Sequence, residues 1–113
     1  INDLDCGQHD YIVMGEVLEH LDDPKAALMK IYNLLNPGGY FLLTTCANAP
    51  AIDHVYLYES VEHIRRHIRE ASFTILSELA LPVENIPEDQ WISKKIEVNY
   101  AAMLKKWIKP SKI

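Results

Sequence analysis

The sequence predicts an α/β fold in which helices pack on a partly parallel sheet. An apolar segment, a helical segment and a second apolar segment follow one another between residues 11 and 45. Two later segments, at 73–81 and 95–104, alternate in polarity as half-buried strands do. Hydrophobic residues make up 49% of the 113 residues, which is enough for a packed core. We therefore expect a layered α/β sheet of four strands with two or three helices, and one domain or less.

The first unit is predicted to be a strand, a helix and a strand. Tyr11–Met14 is rich in β-forming residues, and Asp23 and Pro24 suit the cap and the first position of a helix. The apolar stripe of this helix comprises Leu28, Ile31 and Leu35. Asn36–Gly39 should end the helix and turn the chain into a second strand, Tyr40–Thr45. The expected connection is a right-handed parallel crossover.

A second helix should follow a long polar connection, Cys46–Glu59, which is of the kind that forms the wall or lid of a site. Ser60 is suited to cap this helix. Its apolar stripe comprises Val61, Ile64, Ile68 and Ala71. His63 and His67 on the helix, like His9, are expected to be solvated.

Two strands complete the prediction. In the segment 73–81, one better-buried face is expected to carry Phe73, Ile75, Leu79 and Leu81. A connector with one helical turn after Pro87 leads to the last strand, Lys95–Leu104. Alternate residues of that strand should be buried: Ile96, Val98, Tyr100, Ala102 and Leu104.

Charge and cysteine content exclude several classes of function. The formal net charge is −5, without a long run of either sign, so a nucleic-acid partner is unlikely and a small-molecule partner fits better. No apolar run approaches the roughly 20 residues that span a bilayer, so no membrane partner is expected. Cys6 and Cys46 lack metal or redox spacing and are expected to be free thiols in the cytoplasm.

The most informative polar residues follow the first strand directly. If the chain turns helical after Gly15, then Glu16, Glu19 and His20 fall at i, i+3 and i+4 on one helical face. Carboxylate and imidazole ligands converging in this way could hold one divalent cation. The alternative is a polar helix start, in which the acids complement the helix dipole and His20 caps a loop.

Two segments resemble the second half of class I S-adenosylmethionine-dependent methyltransferases: Asp10–Pro24, which reads DYIVMGEVLEHLDDP, and Leu34–Gly39, which reads LLNPGG. The resemblance implies a partial Rossmann-like methyltransferase sheet, comprising the family's fourth to seventh strands. The last strand would be antiparallel and inserted between its neighbours. Residues 1–113 would then be the carboxyl-terminal half of a single methyltransferase domain, without its amino-terminal, cofactor-binding half.

This resemblance also implies where the cofactor lies. Ile1 resembles part of the segment beside the adenine, and Met14 and Gly15 resemble the strand end beside the methionine moiety. The family's glycine-rich loop, which holds most of S-adenosylmethionine, has no counterpart in the sequence. We therefore expect the 113-residue chain to bind this cofactor weakly and to be inactive alone.

A finer likeness concerns a metal. Glu16, Glu19, His20 and His54 are similar to the ligand set of metal-dependent O-methyltransferases, whose ion would be Mg²⁺ or Mn²⁺. A cation beside the acceptor hydroxyl lowers its pKa and positions its oxygen. The resemblance thus implies metal-assisted methyl transfer to a hydroxyl oxygen of a small molecule.

Two other hypotheses stay open. In the first, methyl transfer proceeds without metal, with His20 as the catalytic base and Glu19 as the residue that orients it. In the second, the chain is a non-catalytic half-domain that pairs through an exposed sheet edge. Its partner would be the missing amino-terminal half or a second copy.

Overall fold

The structure, a computed structural model, describes residues 9–49 and 56–106. Its strands are β1 (His9–Gly15), β2 (Leu35–Ala47), β3 (Phe73–Pro82) and β4 (Val98–Lys106). The α-helices are α1 (Pro24–Leu34) and α2 (Val61–Glu70), and 3-10 helices span Leu18–His20 and Glu88–Gln90. None of the described helices is long and apolar enough to cross a membrane.

All four strands belong to one sheet with the order β1-β2-β4-β3. β1 and β2 are parallel, whereas β4 is antiparallel to both β2 and β3. The last strand is therefore inserted between its neighbours, as predicted. This mixed sheet with flanking helices confirms the predicted α/β fold class.

Both α-helices begin at the predicted caps. The Asp23 carboxylate accepts a hydrogen bond from the Ala26 N–H (3.0 Å), and Pro24 follows at the first helical position. The Ser60 hydroxyl accepts from the His63 N–H (3.1 Å). Such caps satisfy amides that the first helical turn leaves without partners.

The helices lie side by side on one face of the sheet. An ion pair joins them, with 3.0 Å between Lys25 Nζ and Glu70 Oε1. Their buried residues share one hydrophobic cluster with alternate residues of the strands. The predicted stripes of both helices are buried, as is the predicted alternation of β4. Helical periodicity and strand alternation therefore located most of the core.

The segment 36–39 differs from the prediction, because β2 begins at Leu35 and includes it. Two steps along β1, from His9 to Tyr11, face five steps along β2, from Leu35 to Tyr40. The extra residues of β2 form an irregularity in the pairing. Asn36 Nδ2 donates a hydrogen bond across it to Asp10 Oδ1 (2.6 Å). A Cβ on Gly39 would lie 2.9 Å from the carbonyl oxygen of Asn36, so this close backbone approach requires glycine.

The predicted buried face of β3 is wrong beyond its first half. Phe73 is buried and Ile75 is partly buried, but Leu79 and Leu81 are 55% and 54% exposed. The register with β4 shifts between Ile75 and Ser77, so one extra residue reverses the alternation. As a result, Leu79 and Leu81 lie on the sheet face opposite the helices, which we call the open face.

Candidate active site at the carboxyl edge of the sheet

The chain leaves β1 through a strained turn. Glu16 has a φ of 55°, a left-handed conformation that residues with side chains rarely adopt. Its N–H donates to the carbonyl oxygen of Thr44 (3.0 Å) and also reaches Thr44 Oγ1 (3.2 Å). These bonds hold the turn against β2, at the edge where the two parallel strands end. Strain of this kind persists where the surrounding structure enforces it, often at functional sites.

The predicted helical face of Glu16, Glu19 and His20 is wrong. The residues after Gly15 form no α-helix, and the 3-10 helix that follows begins only at Leu18. The left-handed backbone of Glu16 interrupts the strand and prevents a continuous helical turn. Glu16 and Glu19 nevertheless come together, because the turn folds Glu19 back toward β2.

Glu19 is the most deeply buried acid of this edge, with 2% of its surface exposed. Its Oε1 accepts a hydrogen bond from the Thr45 hydroxyl at 2.8 Å. Its backbone oxygen accepts from the Tyr56 N–H at 3.1 Å. A buried carboxylate needs a donor such as the Thr45 hydroxyl, because removal from water otherwise disfavours its charge. No sequence pattern indicated a role for Thr45, since a threonine at a strand end is ordinary.

His20 lies beside Glu19 and nearer the solvent. Its Nε2 is 4.0 Å from Glu19 Oε2, and 37% of its side chain is exposed. This separation is longer than a hydrogen bond but short enough for electrostatic attraction. An imidazole next to a buried carboxylate is the arrangement in which a general base is oriented.

A potential ligand cluster joins Glu16 and Glu19 with Cys46. One donor atom from each of these residues lies within 4.8 Å of the others. Among the described residues, the cluster therefore brings in Cys46 where the predicted ligand set has His20. His54, the fourth predicted ligand, lies outside the described residues, as does Ile1.

The donor chemistry of this cluster is uneven. Carboxylate oxygens suit Mg²⁺ or Mn²⁺, whereas a thiol suits softer ions. Burial, together with the negative charges of Glu19 and Glu16, raises the pKa of Cys46 to about 12. Cys46 is therefore a protonated, buried and free thiol at neutral pH, as predicted for its redox state. The two carboxylates fit a hard cation, and Cys46 does not.

Four aromatic and imidazole side chains pack beneath this edge. Tyr56 Oη lies 3.1 Å from His63 Nε2, and Tyr58 Oη lies 3.1 Å from His67 Nδ1. The Glu59 N–H donates to His63 Nδ1 at 3.3 Å, so the proton of the neutral ring sits on Nε2. The prediction that His63 and His67 are solvated is wrong, since both are partly buried.

This Tyr–His cluster supports the wall of the site. The Tyr58 carbonyl oxygen accepts from the Asn48 N–H at 2.7 Å. This bond joins the segment that begins at Tyr56 to the residue that follows β2. Burial raises the pKa of the Tyr58 hydroxyl, with the charges of Tyr56 and Glu19 acting in the same direction. The alternating tyrosines at 56 and 58, followed by histidines four residues apart, were the available sequence signal.

Two predicted cofactor contacts, Met14 and Gly15, lie on the edge strand of the described sheet. Met14 is buried against the core, and Gly15 is exposed where β1 ends. A groove of about 350 Å³ runs beside them along β1 and α1. Its lining includes Tyr11, Val13, Met14, Gly15, Ile31 and Leu34. This part of the strand end is therefore open to a ligand or to another polypeptide segment.

Known proteins share this fold. NodS, an N-methyltransferase from Bradyrhizobium japonicum solved with S-adenosyl-L-homocysteine, superposes with a TM-score of 0.60 at 20% identity. The match covers 89% of this chain and 47% of NodS. The [4+2]-cyclase SpnF superposes with a TM-score of 0.66 at 14% identity, covering 91% of this chain and 51% of SpnF. One fold thus carries different chemistries.

Sequence comparison identifies the family. The ubiquinone biosynthesis O-methyltransferase of Psychrobacter arcticus is 24% identical over 121 residues, covering 89% of this chain and 47% of the relative. That of Acinetobacter baumannii is 23% identical over 115 residues, covering 84% and 48%. The chain thus spans about half the length of these relatives. The family described as a methyltransferase domain matches residues 5–84, well over half of the sequence, and the chain belongs to that family.

Proposed function

We propose that this chain takes part in S-adenosylmethionine-dependent methyl transfer to a hydroxyl oxygen of a small molecule, assisted by Mg²⁺ or Mn²⁺. The observation that carries the proposal is the pairing of Glu16 with the buried Glu19 at the carboxyl end of β1. In open α/β sheets, ligands bind outside these strand ends. The names of the sequence relatives, which are O-methyltransferases, support oxygen as the acceptor atom.

The chemistry requires orientation and proton removal. The acceptor oxygen forms a bond to the methyl carbon, the bond from that carbon to the sulfonium sulfur breaks, and the hydroxyl proton passes to a base. Glu16 and Glu19 would hold the ion, with His20 and His54 as further proposed ligands. A bound divalent cation lowers the pKa of a nearby hydroxyl. Burial of Glu19 against Thr45 fixes one side of this arrangement.

A metal-free route is supported by a different observation. His20 Nε2 lies 4.0 Å from Glu19 Oε2, and His20 is the more exposed of the two. In this alternative, His20 removes the hydroxyl proton, and Glu19 orients the imidazole and stabilises its positive charge. The same two residues act in both routes, but only the first requires an ion.

Metal removal and restoration separate the two routes. Because the 113-residue chain is expected to be inactive alone, the chain joined to its proposed amino-terminal half would be stripped with a chelator, dialysed and assayed for methyl transfer to a phenolic acceptor with and without Mg²⁺ or Mn²⁺. We expect activity to fall and to return with the ion. Unchanged activity in the stripped protein would favour His20 as base without metal.

Variants test the acceptor-side assignment. We expect Glu19→Ala and His54→Ala to lower turnover at least about tenfold, which corresponds to about 1.4 kcal/mol of transition-state stabilisation. Calorimetric affinity for S-adenosylmethionine should change much less. An equal loss of cofactor affinity would contradict the assignment.

The cofactor side is proposed to need a second unit along β1. β1 pairs only with β2 among the described strands, and Tyr11 and Val13 on it are 71% and 70% exposed. We propose that an amino-terminal, cofactor-binding half occupies this edge, so that the 113-residue chain corresponds to the carboxyl-terminal half of the domain. The expected location is the cytoplasm, where the buried thiol of Cys46 stays reduced.

Calorimetry with S-adenosylmethionine tests this division. The 113-residue chain should bind the cofactor weakly or not at all, and tight stoichiometric binding would refute the division. The alternative of a non-catalytic module that pairs with a second copy is supported by the same exposed edge. A concentration-dependent dimer without methyl transfer, detected by light scattering, would favour that alternative.

A further inference from the structure

A buried hydrogen bond joins the candidate site to the centre of the sheet. The Thr45 hydroxyl donates to Glu19 Oε1 at 2.8 Å, across 26 residues of sequence. Thr45 is fully buried, and Glu19 is 2% exposed. Because hydrogen bonds to a charged acceptor are about twice as strong as neutral ones, this contact has a large influence on where the carboxylate lies.

The two ends of this bond differ in rigidity. Thr45 belongs to β2, which pairs with β1 and β4, and Thr45 itself lies opposite Tyr100 of β4 in the register. As a β-branched residue, it also has restricted side-chain rotation. Glu19 lies in a 3-10 helix of three residues, the kind of short element whose geometry is easily deformed. The strand therefore determines the position of the carboxylate.

The bond also distinguishes the two carboxylate oxygens. Oε1 is engaged by Thr45, whereas Oε2 lies 4.0 Å from His20 Nε2. A Glu19 side chain that lost its donor could rotate about its terminal torsion, which is broad and has no strong preference. Thr45 thereby directs one oxygen of Glu19 toward His20.

We propose that Thr45 is a positioning residue for methyl transfer, acting through Glu19 without touching the acceptor. This role rests on the proposed function, in which Glu19 holds the ion or orients His20. It applies to both routes, since each needs the Glu19 carboxylate held in place. A shift of about 1 Å in such a group can lower a rate by about a hundredfold.

Three single variants test the role in the full-length protein. Thr45→Val keeps the shape and removes the donor, Thr45→Ser keeps the donor, and Thr74→Val makes the same change at an exposed position of β3. Thermal unfolding of each variant establishes that it folds. We expect Thr45→Val to lower kcat by about tenfold to a hundredfold, with KM for S-adenosylmethionine within about twofold of wild type. Thr45→Ser should recover most of the loss, and Thr74→Val should match wild type.

A double-mutant cycle with Glu19→Gln supplies the decisive readout. If Thr45 acts through Glu19, Thr45→Val should change kcat much less in the Glu19→Gln background than in wild type. Equal effects in both backgrounds would overturn the role, as would wild-type kcat in Thr45→Val or equal losses in the Val and Ser variants. Should Thr45→Val fail to fold, the Thr45→Ser and Thr45→Cys variants provide the cycle.

The outcomes separate this role from the proposed function itself. If wild type lacks methyl transfer to hydroxylated acceptors, the proposed function fails and this role fails with it. If wild type is active and the cycle shows no coupling, only the role of Thr45 fails.

Discussion

The two faces of the sheet are built from the same strands, yet they differ in what covers them. On the helix-covered face, Phe41, Leu43 and Leu104 are fully buried. On the open face, Leu79 and Leu81 are more than half exposed. Both faces carry large apolar side chains, so composition alone does not distinguish them.

Topology accounts for the difference. The chain moves across the sheet in one direction, from β1 to β2 and then past β4 to β3. Right-handed crossovers made in one direction place their helices on the same side of a sheet. α1 and α2 therefore lie on the same face of the sheet, and neither helix covers the open face. Helices on one face alone therefore leave the apolar side chains of the other face exposed among the described residues. In doubly wound sheets, connections that run the opposite way supply the helices of that second face.

The largest expected effect is a contrast between two leucines on adjacent strands. Leu104→Ala removes a fully buried side chain and should lower the free energy of unfolding by about 3 kcal/mol. Leu79→Ala removes a side chain that is 55% exposed and should cost less than about 1 kcal/mol. Urea denaturation of both variants measures the difference. Similar costs would show that a partner covers the open face in solution.

A polar contact on the covered face should have the next largest effect. The β3 irregularity turns Glu78 toward α2, where its carboxylate accepts from Arg65 Nε (3.0 Å) and from the Tyr100 hydroxyl. Glu78→Ala leaves the buried Tyr100 hydroxyl and Arg65 without this partner and should cost about 2 kcal/mol. The matched control is Glu62→Ala, since Glu62 also pairs with Arg65 but is 61% exposed. Its cost should stay within about 0.5 kcal/mol, and equal costs would mean that the Tyr100 contact and the lower exposure of Glu78 (31%) add nothing to stability.

Capping of the helix that covers β3 should contribute less. Ser60→Ala removes the acceptor for the His63 N–H and should lower stability by about 1 kcal/mol. Ser93→Ala is the control, because the Ser93 hydroxyl donates to an exposed Gln90 carbonyl outside any α-helix. We expect the control to change the unfolding midpoint by less than half as much. Equal shifts would show that the cap does not limit the stability of α2.

Much of the covered face was predictable, because periodicity reports directly on which residues pack together. The stripes of α1 and α2 and the alternation of β4 all follow from it. The open face was not, because the single extra residue between Ile75 and Ser77 has no compositional mark and reverses everything after it. The predicted burial of Leu79 and Leu81 was wrong for this reason.

The candidate site was predictable in its location but not in its geometry. Polar residues after an apolar strand indicated the carboxyl edge, and Glu16 and Glu19 do meet there. The helical spacing failed because Glu16 adopts a left-handed backbone, which its bonds to Thr44 stabilise. Thr45 and Cys46 belong to β2 and are far from Glu19 in the sequence. The pairing of β2 with β1, and not the local sequence, brings them close to Glu19.

The smallest expected effect concerns pH and the two imidazoles on the covered side. Burial is the main cause that lowers the pKa of His63 and of His67 below 6.5. The Arg66 charge acts in the same direction on both imidazoles, and His63 does so on His67. The unfolded chain therefore takes up protons before the folded chain does. The resulting contribution to stability is present above about pH 6.5 and is lost as the pH falls through the depressed values.

We expect the pH dependence to flatten when these imidazoles are replaced. Between about pH 7 and pH 5, the free energy of unfolding should fall less steeply for the His63→Gln, His67→Gln double variant than for wild type. At His63 the Glu59 N–H adds to burial, because it donates to Nδ1 and so opposes protonation of that nitrogen. Thr74→Val, which changes no titratable group, should keep the wild-type slope. If the double variant also keeps the wild-type slope, the Tyr–His cluster does not resist protonation. Burial on the covered face would then have no effect on the pH dependence of stability.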